Sequence, residues 1–203
     1  MHSTDCFLEA DRFLQFDGYR PLKDDEIRLF RLLPGKRSDP VQGHLEHARM
    51  TNGSCSVRYE ALSYCWGTPV FNGEVVIDGQ VSHVTESLDT ALRHLRSETQ
   101  TMTLWIDAIC INQMDLAERS QQVQGMLDTY QSAHCVYTWL GPSTERTAAG
   151  MMALESIWKG REGDGEPAWA SMPPDVIGPG LEDILTRPYF ERMWVVQETA
   201  IAR

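Results

Sequence analysis

The amino-acid sequence predicts an α/β fold, a mainly parallel sheet flanked by helices with an added antiparallel hairpin. Three observations carry that reading. Apolar strand-like runs alternate with segments of helical period through the middle of the chain. Residues 104–111, LWIDAICI, are nearly continuous in apolar character, as expected for a strand covered on both faces. Residues 75–77 and 81–84 flank Asp78-Gly79-Gln80, a hairpin signature.

Taken in order, residues 1–25 mix charge and aromatics without a clear period and read as an N-terminal extension. Tyr19-Arg20-Pro21-Leu22 leads into a domain expected over 26–203. EIRLFRLL (26–33) alternates apolar and charged positions and reads as a half-exposed strand ended by Pro34-Gly35. Residues 41–49 are its polar partner, with Thr51-Asn52-Gly53-Ser54 as a turn. YEALSYCW (59–66) suits a central strand that stops at Gly67-Thr68-Pro69. After the hairpin, Leu88, Ala91, Leu92 and Leu95 share one helical face, with Thr85 as N-cap.

The strand at 104–111 follows. Asp115-Leu116-Ala117-Glu118 then has capping-box spacing, with Asp in place of Ser or Thr and Glu118 as the returning partner. Leu116, Val123, Met126, Leu127 and Tyr130 line one face of the helix it opens, while Gln121, Gln122 and Gln124 read as solvated surface. Residues 135–140 are a second buried strand before Gly141-Pro142. Residues 144–159 read as helix, 160–180 as a long Gly- and Pro-rich surface loop of the kind used as a lid, and 181–185 as a helical turn. A helix is expected from Phe190, and no internal repeat or separate linker interrupts the chain.

At 203 residues the chain has room for one sizeable domain. A net charge of −11 argues against a nucleic-acid-binding surface, which needs clustered Lys and Arg, yet leaves room for a nucleotide-sized ligand. No run approaches the roughly 18 apolar residues of a membrane span. The first residues, MHSTDCFLEADRF, are acidic and lack the pattern of a secretory signal. Five widely spaced cysteines (Cys6, Cys55, Cys65, Cys110, Cys135) have the look of reduced cytoplasmic thiols, with Cys110 an inert core thiol rather than a nucleophile. His44 and His47 form an isolated pair without a second pair, so no metal site is expected.

Asp107, Asn112 and Gln113 gather where a strand delivers the chain to a helix, the usual place for an α/β ligand site. An aspartate among apolar neighbours must be paired or hydrogen-bonded. Asp107 therefore either polarises a site or anchors the turn at Asn112. Trp66-Gly67, at the end of another strand, forms either a ligand floor or a turn packed by tryptophan.

Three blocks together resemble the fungal heterokaryon incompatibility (HET) domain. They are YEALSYCWG (59–67), residues 104–141 with WIDAICINQ and ER..QV..M...Y..A, and RPYFERMWVVQE (187–198). The likeness covers nearly everything from Glu26 onward. It implies non-self recognition, in which HET-domain proteins trigger regulated death of fused fungal cells. It further implies a TIR-like, flavodoxin-like fold, whose enzymatic members cleave NAD at the nicotinamide–ribose bond. Their catalytic glutamate lies four residues after a tryptophan; Trp194 and Glu198 have that spacing, which makes Glu198 the catalytic candidate.

On the same footing Trp66 or Trp194 would stack on a ring of NAD, and Asn112 and Gln113 would bond ribose or phosphate oxygens. Gly67 would lie in the floor of the site. Arg192 would hold a phosphate or, the favoured role, pair with Asp107. NAD enters as substrate, with no cofactor required. Nicotinamide leaves a cationic pyridinium as a neutral molecule, so the site must stabilise an oxocarbenium-like ribosyl cation rather than supply a general acid. One carboxylate beside the ribose, away from water, suffices.

The alternative is a non-enzymatic interaction module that signals by homotypic assembly or through other cell-death proteins. A degenerate, truncated copy is a further alternative, because the chain stops five residues after Glu198 and such domains usually precede long C-terminal regions.

Overall fold

A computed structural model describes residues 16–68, 70–160 and 173–192. Trp194, Glu198, most of the expected loop, the first 15 residues and the expected C-terminal helix beyond residue 192 lie outside the described residues. The chain divides into two compact units, the first holding the described residues up to Trp139 and the second Leu140–Arg192.

The first unit contains one eight-stranded sheet. Its strands are β1 (Glu26–Leu32), β2 (Val41–Thr51), β3 (Ser54–Cys55), β4 (Glu60–Tyr64), β5 (Gly73–Ile77), β6 (Gln80–Val84), β7 (Met102–Trp105) and β8 (Val136–Trp139). The order is β6-β5-β2-β1-β7-β4-β8, with β3 paired to β2. The sheet is mixed. β4 runs parallel to both β7 and β8, and β2 parallel to β5. β1 runs antiparallel to both of its neighbours, and β5–β6 is the expected hairpin. Asp78 and Gly79 both adopt positive φ at its turn (49° and 86°), as a two-residue hairpin of this hand requires. Asn52 and Gly53 do the same between β2 and β3.

β1 is more deeply placed than its alternating sequence suggests. Only Arg31 of the strand is exposed, because β1 lies between β2 and β7 and both its faces are covered. Even Arg28 is only 1% exposed. β7 is shorter than expected. It stops at Trp105, and residues 107–110 turn into a helical segment, α2 (Asp107–Cys110). The amides of Ile109 and Cys110 bond back to the Ile106 carbonyl, and the Asp107 carboxylate takes the Ala108 N–H at 2.7 Å. A continuous apolar run does not by itself separate a strand from such a turn. Among the described residues β8 pairs only with β4, at the edge of the sheet, and it is half-exposed rather than buried.

Helix α1 (Glu86–Leu95) begins as its sequence indicates, with Thr85 Oγ1 accepting the Leu88 N–H at 3.3 Å. The long helix expected after Asp115 is instead two, α3 (Leu116–Gln124) and α4 (Met126–Ser132), divided at Gly125. Its apolar face is also rotated from the expected one. Leu116 is 67% exposed and Val123 and Leu127 are exposed, whereas Gln122, Met126, Thr129 and Tyr130 turn inward. Polar contacts set that phase. Gln122, expected at the surface, donates to the Glu26 carbonyl at 3.3 Å, and the Tyr59 hydroxyl donates to the Thr129 carbonyl. Tyr130 packs edge-on against buried Trp105, with ring centres 5.2 Å apart.

The second unit comprises α5 (Thr147–Gly160), α6 (Pro174–Leu185) and a 3-10 turn at Pro188–Glu191. α6 starts inside the segment expected as loop, so that expectation is corrected from residue 174 onward. Proline is at home in a helix's first turn. The glycines serve packing: a Cβ on Gly180 would lie 2.6 Å from the Gly150 nitrogen, and one on Gly150 would strike the Gly180 carbonyl. Arg187 ties the unit together. It donates to the carbonyls of Leu140 (3.1 Å), Gly141 (3.3 Å) and Pro142 (3.1 Å), to Thr147 Oγ1 (2.7 Å) and to the Asp183 carboxylate (2.9 Å). Hydrogen bonds from Arg187 and then Thr147 hold the Asp183 carboxyl below the usual carboxylate range. No helix among the described residues is long and apolar enough to cross a membrane.

Candidate functional site

The site follows from how β4 and β7 pair. Parallel register sets Glu60 beside Leu104 and Ala61 beside Trp105, so the chain leaves both strands at the same edge of the sheet. In open α/β sheets ligands bind outside the carboxyl ends of such strands. After β4 comes Trp66, and after β7 comes Asp107. The Trp66 indole N–H points at the Asp107 carboxylate, 3.0 Å from one oxygen and 3.3 Å from the other. Gln113 reaches back from the following turn, its side-chain amide donating to the Asp107 backbone carbonyl at 2.9 Å.

Gly67 adopts φ +75°, the left-handed conformation that glycine accepts without strain, and so redirects the chain directly after Trp66. The Ser87 hydroxyl fixes that bend by donating to the Cys65 carbonyl at 2.7 Å. Asn112 uses its side chain locally. Its Oδ1 accepts the Met114 N–H at 3.2 Å in an Asx-type turn, and its own N–H donates to Glu118 Oε1 at 2.7 Å. Trp66 also borders a gap of about 10 Å³, together with Tyr64, His83, Thr85, Ala108 and Gln113. That is room for about one water.

Among the residues singled out from the sequence, Trp66, Gly67, Asp107, Asn112 and Gln113 thus lie in one neighbourhood. Asp107 sits at the start of a helical turn rather than within a strand, and it both anchors that turn and orients Trp66. Arg192 belongs to the second unit, where its guanidinium stands over the Tyr189 ring, 5.8 Å from the centroid. Trp194 and Glu198 lie outside the described residues. Cys110 is wholly buried, and burial pushes its thiol up to about 12, which leaves it protonated and unreactive at neutral pH. His44 bonds Asp78 at 2.9 Å and His47 bonds Glu26 at 3.3 Å. Among the described residues no group of three or more His, Cys, Asp or Glu is placed to hold a metal ion.

Arg28 was not singled out in the sequence, and Glu118 has another partner than the one expected. Asp115 caps α3 as expected, accepting the Ala117 and Glu118 N–H groups at 3.0 and 3.1 Å. Glu118 does not complete the box. Its carboxylate turns inward and takes a bidentate grip from Arg28, at 2.6 and 2.8 Å, while one of the same oxygens accepts the Asn112 N–H. A signal for this was present in β1. Phe30 and Leu32 share a face with Arg28, and Ile27 and Leu29 share the other face with Arg31, so apolar residues on both sides already marked a strand covered twice.

The heterokaryon incompatibility protein (HET) family model matches residues 59–198, and the chain belongs to that family. It is similar to heterokaryon incompatibility protein 6, OR allele, of Neurospora crassa, with 42% identity over 112 residues. That match covers 49% of this chain and 16% of the relative, so the chain corresponds to a small part of the relative's length. No solved structure matches the chain.

Proposed function

We propose that this HET domain acts in fungal non-self recognition by triggering regulated cell death, and that it does so by cleaving NAD at the nicotinamide–ribose bond. The observation that carries the site is the parallel pairing of β4 and β7, which brings Trp66, Asp107 and Gln113 together at the carboxyl edge of the sheet. The name of the Neurospora relative supports the biological role. On this reading the fold is TIR-like, the domain runs from Glu26, whose strand lies in the same sheet as the matched residues, and the protein works in the cytoplasm.

Asp107 holds the Trp66 indole by its N–H edge, and the nicotinamide or adenine ring of NAD stacks against that indole. Gln113 and Asn112 approach the ribose and phosphate oxygens, and the Glu198 carboxylate stabilises the ribosyl cation as neutral nicotinamide departs with the bonding pair; water then forms the new C–O bond and loses its proton to solvent. Gln113→Ala tests the assignment: KM for NAD rises about tenfold, the worth of one lost hydrogen bond. A KM unchanged by that substitution removes Gln113 from the site.

A second reading, a non-enzymatic module that assembles with itself or with other cell-death proteins, is favoured by Leu116, Val123 and Leu127, which stand exposed on α3 and α4. Purified protein that releases no nicotinamide from NAD, even at concentrations that satisfy assembly, rules out the enzymatic reading and favours this one.

A further inference from the structure

The Arg28–Glu118 pair is unlike the other ion pairs of the first unit. Its side chains are 1% and 10% exposed, and the guanidinium meets the carboxylate with both terminal nitrogens. Arg28 also donates to the Cys110 carbonyl at 3.1 Å and the Arg20 carbonyl at 2.6 Å, and lies over the Tyr19 ring at 4.8 Å. Tyr19 in turn donates its hydroxyl to the Ile109 carbonyl at 2.8 Å. These contacts converge on both ends of one short segment. Ile109 and Cys110 close α2, Asn112 opens the turn that follows, and Gln113 is the next residue. From Arg28 the bonds run through Glu118 to the Asn112 N–H, and from Gln113 through Asp107 to the Trp66 indole.

Burying two charges is expensive, and apolar residues of similar volume would often stabilise a fold as well. What apolar residues cannot supply is a carboxylate oxygen aimed at one amide. We infer that Arg28 and Glu118 are positioning residues, which hold the turn at Asn112–Gln113 in register with Asp107 and Trp66 and so set the geometry of the site. The inference rests on the NAD-cleaving reading for its kinetic consequence, but not for its structural one.

The test replaces both partners at once, Arg28→Met with Glu118→Leu, and compares the double variant with Arg31→Met/Glu46→Leu, which removes a more exposed pair at 3.7 Å. Amide exchange at Asn112 and Met114, whose N–H groups Glu118 and the Asn112 side chain accept, is expected to quicken at least about tenfold in the first variant and to stay unchanged in the second. The NAD KM of the first is expected to rise about as far as in Gln113→Ala, and its kcat to fall about 100-fold, the size of effect that follows when supporting groups let a site shift by about 1 Å. Unaltered exchange at Asn112 overturns the inference. So does a loosened turn with full kcat.

Should the double variant not fold, Arg28→Lys keeps the charge but loses the planar fork. It is expected to quicken exchange at the same two amides, and failure to do so overturns the inference equally. If the unaltered protein turns over no NAD, the enzymatic reading fails by itself, and the exchange measurements alone decide whether the pair holds the turn.

Discussion

A double-mutant cycle of Asp107→Ala and Trp66→Phe isolates what the Trp66–Asp107 contact contributes. The carboxylate accepts the indole N–H at 3.0 and 3.3 Å and the Ala108 N–H at 2.7 Å, and both side chains are half-buried. A hydrogen bond to a charged group contributes about 1.5–3 kcal/mol net, and partial exposure favours the lower part of that range. The expected loss is therefore about 2 kcal/mol, or a Tm lower by about 4–8 °C in a chain of this size. Asp107→Asn keeps one acceptor oxygen but loses the charge, and charge-assisted bonds are roughly twice as strong as neutral ones. It should lose about 1 kcal/mol. Trp66→Phe removes the same donor from the other side. Urea unfolding followed by circular dichroism on Asp107→Ala, Trp66→Phe and the double variant then gives a coupling energy of about 1–2 kcal/mol. Strict additivity, a coupling below about 0.5 kcal/mol, would refute the view that Asp107 holds the indole.

Other expectations follow from packing and titration. Gly150→Ala meets the Gly180 backbone and should destabilise by about 1–3 kcal/mol, read as a lower Tm in a thermal melt; an unchanged Tm would contradict the close packing of α5 on α6. Cys110 should resist alkylation in the native protein and react only on unfolding, as peptide mapping after iodoacetamide treatment will show. Its folded pKa lies above the unfolded value. Its contribution to stability is therefore full below about pH 8.5 and is lost as pH rises towards about 12, which Cys110→Ala should flatten in a Tm-against-pH series. Asp183 has the opposite sign: its folded pKa is depressed, so its contribution is present above about pH 4 and lost as pH falls further. Asp183→Asn should flatten the acid limb of the same series.

What could be read from the sequence was local. Asp78-Gly79 specifies its hairpin because only residues tolerant of positive φ suit the turn, and Thr85 announces α1 because its hydroxyl caps an amide three residues on. Asp107, Asn112 and Gln113 are neighbours in sequence, and Trp66 joins them because the carboxyl ends of β4 and β7 leave the sheet at one edge. What escaped was non-local or ambiguous. Arg28 and Glu118 are 90 residues apart, and a local capping rule explained Glu118 well enough to hide its inward partner. Residues 107–110 have the same apolar composition as the strand before them, so only the Asp107 carboxylate at the helical turn distinguishes them. In α3 and α4 the phase was set by Gln122, a polar residue whose amide satisfies the Glu26 carbonyl, and hydrophobicity pointed at the wrong face. α6 was read as loop because its glycines and prolines are usually breakers, whereas Gly180 is there to let two helix backbones meet.

The proposed cleavage of NAD makes Glu198 the essential carboxylate. The most direct measurement is nicotinamide release from NAD by the purified protein and by Glu198→Gln, both confirmed folded by circular dichroism and thermal melting. The account predicts steady release by the unaltered protein and a loss of at least about 1,000-fold in the variant, the scale on which a single transition-state electrostatic contact acts. Equal turnover by the two proteins contradicts it.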